Sequence, residues 1–141
     1  MKKMGRFNII LMADDDADDR FLVQAAFEDN GIHHEMMFFE DGEQLLDHLN
    51  INPAEGSTRF ILLDLNMPKK DGREVLRVLK SDKVLSKIPI IIFSTSKAPE
   101  DILSSYELGA NSYVVKPSSY EHLKEVIKKI SDFWINTAVT P

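Results

Sequence analysis

Four short stretches of this chain carry side chains able to handle a charged ligand. Asp14-Asp15-Asp16 is a run of carboxylates directly after the apolar run FNIILM, and Asp64 stands near the end of another, FILLDL (60–65). Ser94-Thr95-Ser96 follows IPIIIF (88–93), and Lys116-Pro117 follows SYVV (112–115). Carboxylates gathered in one place repel, and protons or a cation must offset that. A set of oxygen ligands suits Mg²⁺, which keeps several waters and takes one or two carboxylates together with phosphate oxygens. The ammonium of Lys116 and the hydroxyl of Ser94 would complete a site for a phosphoryl group carried on Asp64, one offsetting charge and the other donating a hydrogen bond. Each stretch alone has a plainer reading. The acids would cap a helix, with Asp16 the best placed; Ser-Thr-Ser would be a turn, and Lys-Pro a loop. Capping does not account for a carboxylate at the end of a run as apolar as FILLDL. The signal lies in all four stretches falling at successive strand ends.

The elements that must position these residues follow from periodicity. FNIILM (7–12), MMFF (36–39), FILLDL, IPIIIF and SYVV read as strands. FILLDL and IPIIIF are apolar on both faces, as parallel strands covered by helices on both sides must be. Between them lie helical stretches at Asp16 to Asn30, Asp41 to Asn50, Asp71 to Ser81, Glu100 to Leu108, and Ser119 to about Asn136. Their inward residues are predicted to be Phe21, Leu22, Ala25 and Ala26; Leu45, Leu46 and Leu49; Val75, Leu76 and Leu79; and Leu123, Val126, Ile127, Ile130 and Trp134. Gly31 and Gly109 read as helix stops, Ser119 as an N-cap, and Asn52-Pro53 to Ser57 as a loop. Five strands alternating with five helices predict a doubly wound (βα)5 flavodoxin-like three-layer sandwich with a parallel sheet in the order 2-1-3-4-5. In that order strands 1 and 3 are neighbours, and ligands sit at the carboxyl ends near their switch point.

Composition bounds the rest. The 141 residues suffice for one domain (1–141, core about 7–136), with no output domain expected. With 43% apolar and 28% charged residues, this is the ordinary balance of a globular domain. No apolar run approaches the roughly 20 residues of a membrane span, and the basic start runs into ADDDADDR where a signal peptide would have its cleavage site. The net charge of −6 argues against a nucleic-acid surface. The absence of cysteine excludes disulfides and thiolate chemistry and fits a cytoplasmic location. His33 and His34 read as a surface connection, Met36 to Phe39 as strand core, and Asp18, Asp19 and Glu28 as the solvated face of the first helix.

The stretches ADDD (13–16), ILLDLNMPKKDG (61–72), PIIIFSTS (89–96) and GANSYVVKPSS (109–119) resemble the receiver domains of two-component response regulators. The resemblance runs from Phe7 to about Trp134, and its form is most similar to stand-alone regulators of phytochrome-type histidine kinases. It implies that Asp64 is the phosphoacceptor. Asp14 and Asp15 would hold Mg²⁺, with Mn²⁺ able to substitute; Asp15 would be the more direct ligand, and Asn66 would add its backbone carbonyl. Ser94 and Thr95 match switch positions, Lys116 the phosphate-binding lysine, Tyr113 the aromatic switch of strand 5, and Lys116–Pro117 a cis peptide. The departures are Ser in place of Thr at 94, and Ser118 where many members are apolar.

The implied protein is a phosphorylation-dependent switch and not an enzyme on an external substrate. Its donor would be a sensor histidine kinase or a phosphotransfer protein, of phytochrome type by the narrower resemblance. Its output would be a helix 4/strand 5/helix 5 face, through which a homodimer would also be able to form. Two other classes share the fold. An FMN protein would want a Ser/Thr/Gly-rich phosphate loop where ADDDADDR stands. An aspartyl-phosphate phosphatase would want a second aspartate at position 66, which is asparagine here.

Overall fold

The most apolar segments become the centre of the sheet. In the computed structural model, which describes residues 9–51 and 58–138, the strands are β1 (Ile9–Ala13), β2 (Glu35–Phe39), β3 (Thr58–Leu63), β4 (Ile90–Ser94) and β5 (Ser112–Val115). The helices are α1 (Ala17–Asp29), α2 (Gly42–Ile51), α3 (Gly72–Ser81), α4 (Pro99–Glu107) and α5 (Tyr120–Trp134), with a short 3₁₀ turn at Leu85–Lys87. All strand pairings are parallel and the order is β2-β1-β3-β4-β5, as the alternation of elements predicts. The expected start at Phe7 and the Asn52–Ser57 loop lie outside the described residues.

The pleat divides each central strand between two cores, because successive side chains point to opposite faces. Leu11, Ala13, Ile61, Leu63, Ile90 and Ile92 face α2 and α3, where Leu45, Leu49, Val75, Leu76 and Leu79 are buried. Ile10, Met12, Phe60, Leu62, Ile91 and Phe93 face α1 and α5, where Val23, Ala26, Phe27, Leu123, Ile127 and Ile130 are buried. Two-sided burial explains why these strands lack a polar face. Each fully buried aliphatic or aromatic side chain contributes roughly 1.5–3 kcal/mol.

Helix α1 departs from the sequence reading. Phe21 is 70% exposed and Leu22 38%, and the buried side is Val23, Ala26 and Phe27. Two residues along a helix is a turn of about 200°, so burying Val23 sends Phe21 toward solvent. The helix caps are where their residue types place them. Asp16 accepts from Asp18 N and Asp19 N at the start of α1, and Ser119 accepts from His122 N at the start of α5. Gly31, with φ of 74°, follows α1 in the left-handed region.

Registration brings the strand ends level. Ala13 pairs with both Phe39 and Leu63, and Ser94 with Val115. Asp64 N donates to Ala13 O at 3.0 Å, Asp14 N to Phe39 O at 3.0 Å and Lys116 N to Ser94 O at 2.8 Å, so the residue after each strand remains tied to its neighbour. Asp71 caps α3 by accepting from Arg73 N and Glu74 N, and Gly72 N donates to Leu65 O at 2.8 Å, folding α3 back against the end of β3. A Cβ on Gly72 would overlap the Asp64 carbonyl oxygen and lie 2.8 Å from Leu65 Cα. Gly72→Ala is therefore expected to destabilise the fold by about 1–3 kcal/mol through overpacking. Urea denaturation monitored by circular dichroism measures it, and an unchanged midpoint would mean that the β3–α3 connection absorbs the methyl group.

Candidate acidic site

Strand ends after β1 and β3 place their carboxylates side by side. Asp14 is fully buried, Asp64 is 8% exposed and Asp15 is exposed at the rim. Each of the three offers an oxygen lying within 4.8 Å of those of the other two. Among the described residues this is the one group of histidines and acids close enough to share an ion, and His33 and His34 are not part of it.

The lysine after β5 enters from the opposite side. Lys116 Nζ donates to Asp14 Oδ2 at 2.6 Å, Asp19 Oδ2 at 2.9 Å and Asp64 Oδ2 at 3.3 Å. Asp19 is thus a partner of the site and not part of a solvated face. Its signal in the sequence was spacing: it follows Asp15 by four residues, about one turn into a helix that starts beside the cluster. Arg20 was also missed; its Nη1 donates to Asp14 O at 2.6 Å and holds the β1–α1 connection down.

Burial dominates the electrostatics. It pushes the Asp14 carboxyl up to about 6, although the Lys116 hydrogen bond and a backbone bond with Asp16 work the other way. Burial also raises Asp64, tempered by Lys116 and by backbone bonds with Asn66 and Leu65. For Lys116, burial works to lower the pKa, but hydrogen bonds to Asp14 and Asp19 and the charges of Asp14 and Asp64 outweigh it and raise it. A buried acid that remains hard to ionise beside a lysine lacks positive charge. A hard divalent cation among oxygen ligands would supply that charge, so this acidic pocket is compatible with Mg²⁺.

The remaining predicted residues surround this pocket. Ser94 is fully buried at the end of β4, and its Oγ accepts from Ser96 N at 3.2 Å. Thr95 and Asn66 are exposed at the same edge. Tyr113 packs against the core on the α2/α3 face, and its hydroxyl donates to Ser96 O at 2.8 Å. Ser96 Oγ in turn donates to Asp101 Oδ2 at 2.6 Å, and Arg73 Nη2 donates to Asp101 Oδ1 at 2.6 Å. The hydrogen bond from Ser96 and then the Arg73 guanidinium hold the Asp101 carboxyl below its usual range. Sequence reasoning did not find this chain of contacts, because its members lie on α3, the β4–α4 connection and α4.

One expectation is corrected. No peptide bond among the described residues is cis, so Lys116–Pro117 is trans. The trans form is the lower-energy isomer of an X–Pro bond by about 0.5–1 kcal/mol, and Lys116 reaches its three carboxylates from it.

Comparison with known proteins agrees with this geometry. The profile of the response regulator receiver domain matches residues 10–128. This chain belongs to the response regulator receiver family. It is 38% identical over 136 residues to response regulator Rcp1 of Synechocystis sp. (strain PCC 6803), covering 94% of this chain and 92% of Rcp1. The crystal structure of the phosphorylated cyanobacterial phytochrome response regulator RcpA superposes with a TM-score of 0.87 at 37% identity, covering 96% of this chain and 99% of RcpA. The Mn²⁺-bound form of Rcp1 gives a TM-score of 0.84 at 36% identity, covering 95% and 99%. As a receiver, the protein belongs to two-component signalling, in which receivers pair with histidine kinases, and the solved structures it is similar to include a cyanobacterial phytochrome response regulator and a bacteriophytochrome response regulator. No described helix is long and apolar enough to cross a membrane.

The receiver's acidic pocket sets a pH dependence. Folded Asp14 titrates near 6, above its ordinary 3.8. It therefore favours the fold below about pH 4, and that contribution is lost as the pH rises through about 6. With chelator present, Asp14→Asn is expected to melt above the wild type near neutral pH, by about 1–3 kcal/mol, and to lose that advantage by about pH 4. Calorimetry across this range checks it; equal melting at neutral pH would show that the Lys116 pair fully offsets the burial of Asp14.

Proposed function

We propose that Asp64 is the phosphoacceptor of this receiver. The observation that carries the reading is a carboxylate at a strand end, 8% exposed, with a lysine ammonium 3.3 Å from Oδ2 and two further carboxylates alongside. Asp14, Asp15, Asp64 and the Asn66 backbone carbonyl would hold Mg²⁺, with Mn²⁺ able to substitute; the Mn²⁺-bound form of Rcp1 supports this assignment. When bound, the ion offsets the charge of the carboxylates and of the incoming phosphoryl oxygens.

The chain's own residues do the remainder. An Asp64 oxygen bonds to phosphorus while the P–N bond of a phosphohistidine donor breaks, and the electron pair stays on the imidazole nitrogen. Lys116 gives an N–H to a phosphoryl oxygen, and Ser94 donates its hydroxyl to another. Little covalent chemistry is asked of the protein; positioning and charge compensation lower the barrier. In the reverse sense, water attacks phosphorus, the P–O bond to Asp64 breaks, and phosphate leaves. The protein thus turns over only its own modification.

The donor is a sensor histidine kinase, of phytochrome type on the strength of the likeness to RcpA and to a bacteriophytochrome response regulator. A cytoplasmic setting goes with this reading, because such donors are charged from ATP there. Ser94, Thr95 and Tyr113 form the switch. When the Ser94 hydroxyl turns to the phosphoryl group it leaves Ser96 N, and Ser96 carries both Tyr113 and Asp101. The readout is the face of α4, β5 and α5, where Leu103 is 60% exposed and Tyr106 46%.

Acetyl phosphate with Mg²⁺ is expected to add one phosphoryl group, seen by intact mass. Asp64→Asn and excess chelator should each abolish it, and equal labelling of Asp64→Asn would overturn the assignment. Beryllofluoride, as a phosphoryl mimic, should increase self-association in light scattering, and Leu103→Glu should reverse the increase. Self-association that responds to neither places the output on another surface.

A further inference from the structure

Three carboxylates converge on the Lys116 ammonium, yet only two belong to the acidic pocket. Asp14 and Asp64, with Asp15, present oxygens close enough to share a cation, and Asp19 is not in that set. It stands in the first turn of α1, with its side chain 35% exposed and Oδ2 2.9 Å from Lys116 Nζ. An ammonium has three N–H bonds. Here each has a carboxylate partner, at 2.6, 2.9 and 3.3 Å, so none is spare for a phosphoryl oxygen. When a cation shares the oxygens of Asp14 and Asp64, the pull of those two groups on Lys116 falls. Asp19 then remains as the carboxylate that answers to the lysine alone.

We infer that Asp19 is the positioning residue for Lys116: it ties one N–H at the α1 edge of the site and leaves the others to meet the phosphoryl group. The inference rests on the reading of Asp64 as phosphoacceptor. In transfer from acetyl phosphate, an Asp64 oxygen bonds to phosphorus, the P–O bond to the acetyl group breaks, and acetate leaves with the electron pair. Charge on the phosphoryl oxygens must be met at that moment by an ammonium already in place. Lysine carries a flexible four-carbon stem, and untied it would lose that placement. Asp19 also adds negative charge beside the ammonium and so weakens the lysine's positive field at the phosphoryl group. Its partial exposure screens that charge, whereas the hydrogen bond fixes geometry regardless of screening. The tether therefore outweighs the charge, and the residue accelerates transfer.

The test is the rate of labelling of the full chain by acetyl phosphate with Mg²⁺. Asp19→Ala should slow it about tenfold. Asp19→Asn, which keeps an acceptor oxygen, should restore most of the rate, and Asp19→Ser, too short to reach, should resemble the alanine variant. Asp18→Ala alters the same helical turn without touching Lys116 and should label as the wild type does. In a Lys116→Ala background, Asp19→Ala should cause no further loss. A second readout needs no phosphoryl donor. In chelator, the Lys116 ammonium resonance of isotope-labelled protein should be sharp in the wild type and broadened by exchange with water in Asp19→Ala. The inference is overturned by wild-type labelling of Asp19→Ala, by equal slowing in Asp18→Ala, by failure of Asp19→Asn to restore the rate, by further slowing in the Lys116→Ala background, or by an unchanged ammonium signal. Labelling of Asp64→Asn at the wild-type rate, or no labelling of the wild type, would instead remove the acceptor reading and this inference with it.

Discussion

Burial of Asp14 and Asp64, held side by side at the end of a parallel pair, is the constraint around which this molecule is arranged. Ala13 and Leu63 are opposite one another in the sheet, so the next residue of each strand cannot move away without breaking the ladder. Lys116 offsets part of the charge, but a buried ion pair stabilises little once its own desolvation is counted. The two apolar layers on either side of the sheet must therefore carry the stability. A site that remains short of positive charge is one prepared to take up more of it.

The same edge connects the pocket to the surface. Ser96 bonds back to Ser94 through its N–H, to Asp101 of α4 through its hydroxyl, and to Tyr113 of β5 through its carbonyl. Arg73 ties Asp101 to α3 from the other side. One residue beside the buried hydroxyl thus fixes two elements of the outer face. A change in the hydrogen bonding of Ser94 would reach α4 and β5 through this connection.

Much of this was legible in the sequence because it follows from local chemistry. FILLDL and IPIIIF announce strands covered on both sides, and Asp16 and Ser119 announce helix starts. The carboxylates, the serine and the lysine at strand ends were located because a parallel sheet collects such ends on one edge. What was not legible depends on rotation and reach. Helix α1 carries apolar residues on more than one side, and its pattern could not tell that Val23 rather than Phe21 is buried. Asp19 and Arg73 act through long or well-aimed side chains toward partners far away in sequence.

The sequence separations inside the pocket have a consequence for the birth of the protein. Lys116 lies 102 residues from Asp14 and 52 from Asp64, and the strands that bring them together pair only with non-neighbours in sequence or across a whole helix. Such long-range pairing forms late, because loop closure must precede the contacts that reward it. On the ribosome both carboxylates emerge well before the lysine, and β1 and β3 can be made but not neutralised until β5 follows. The lysine's arrival thus completes the sheet, with α5 still to cover one of its faces. A partly opened chain holds its acids without this counter-ion, so the pocket is complete only in the finished sheet.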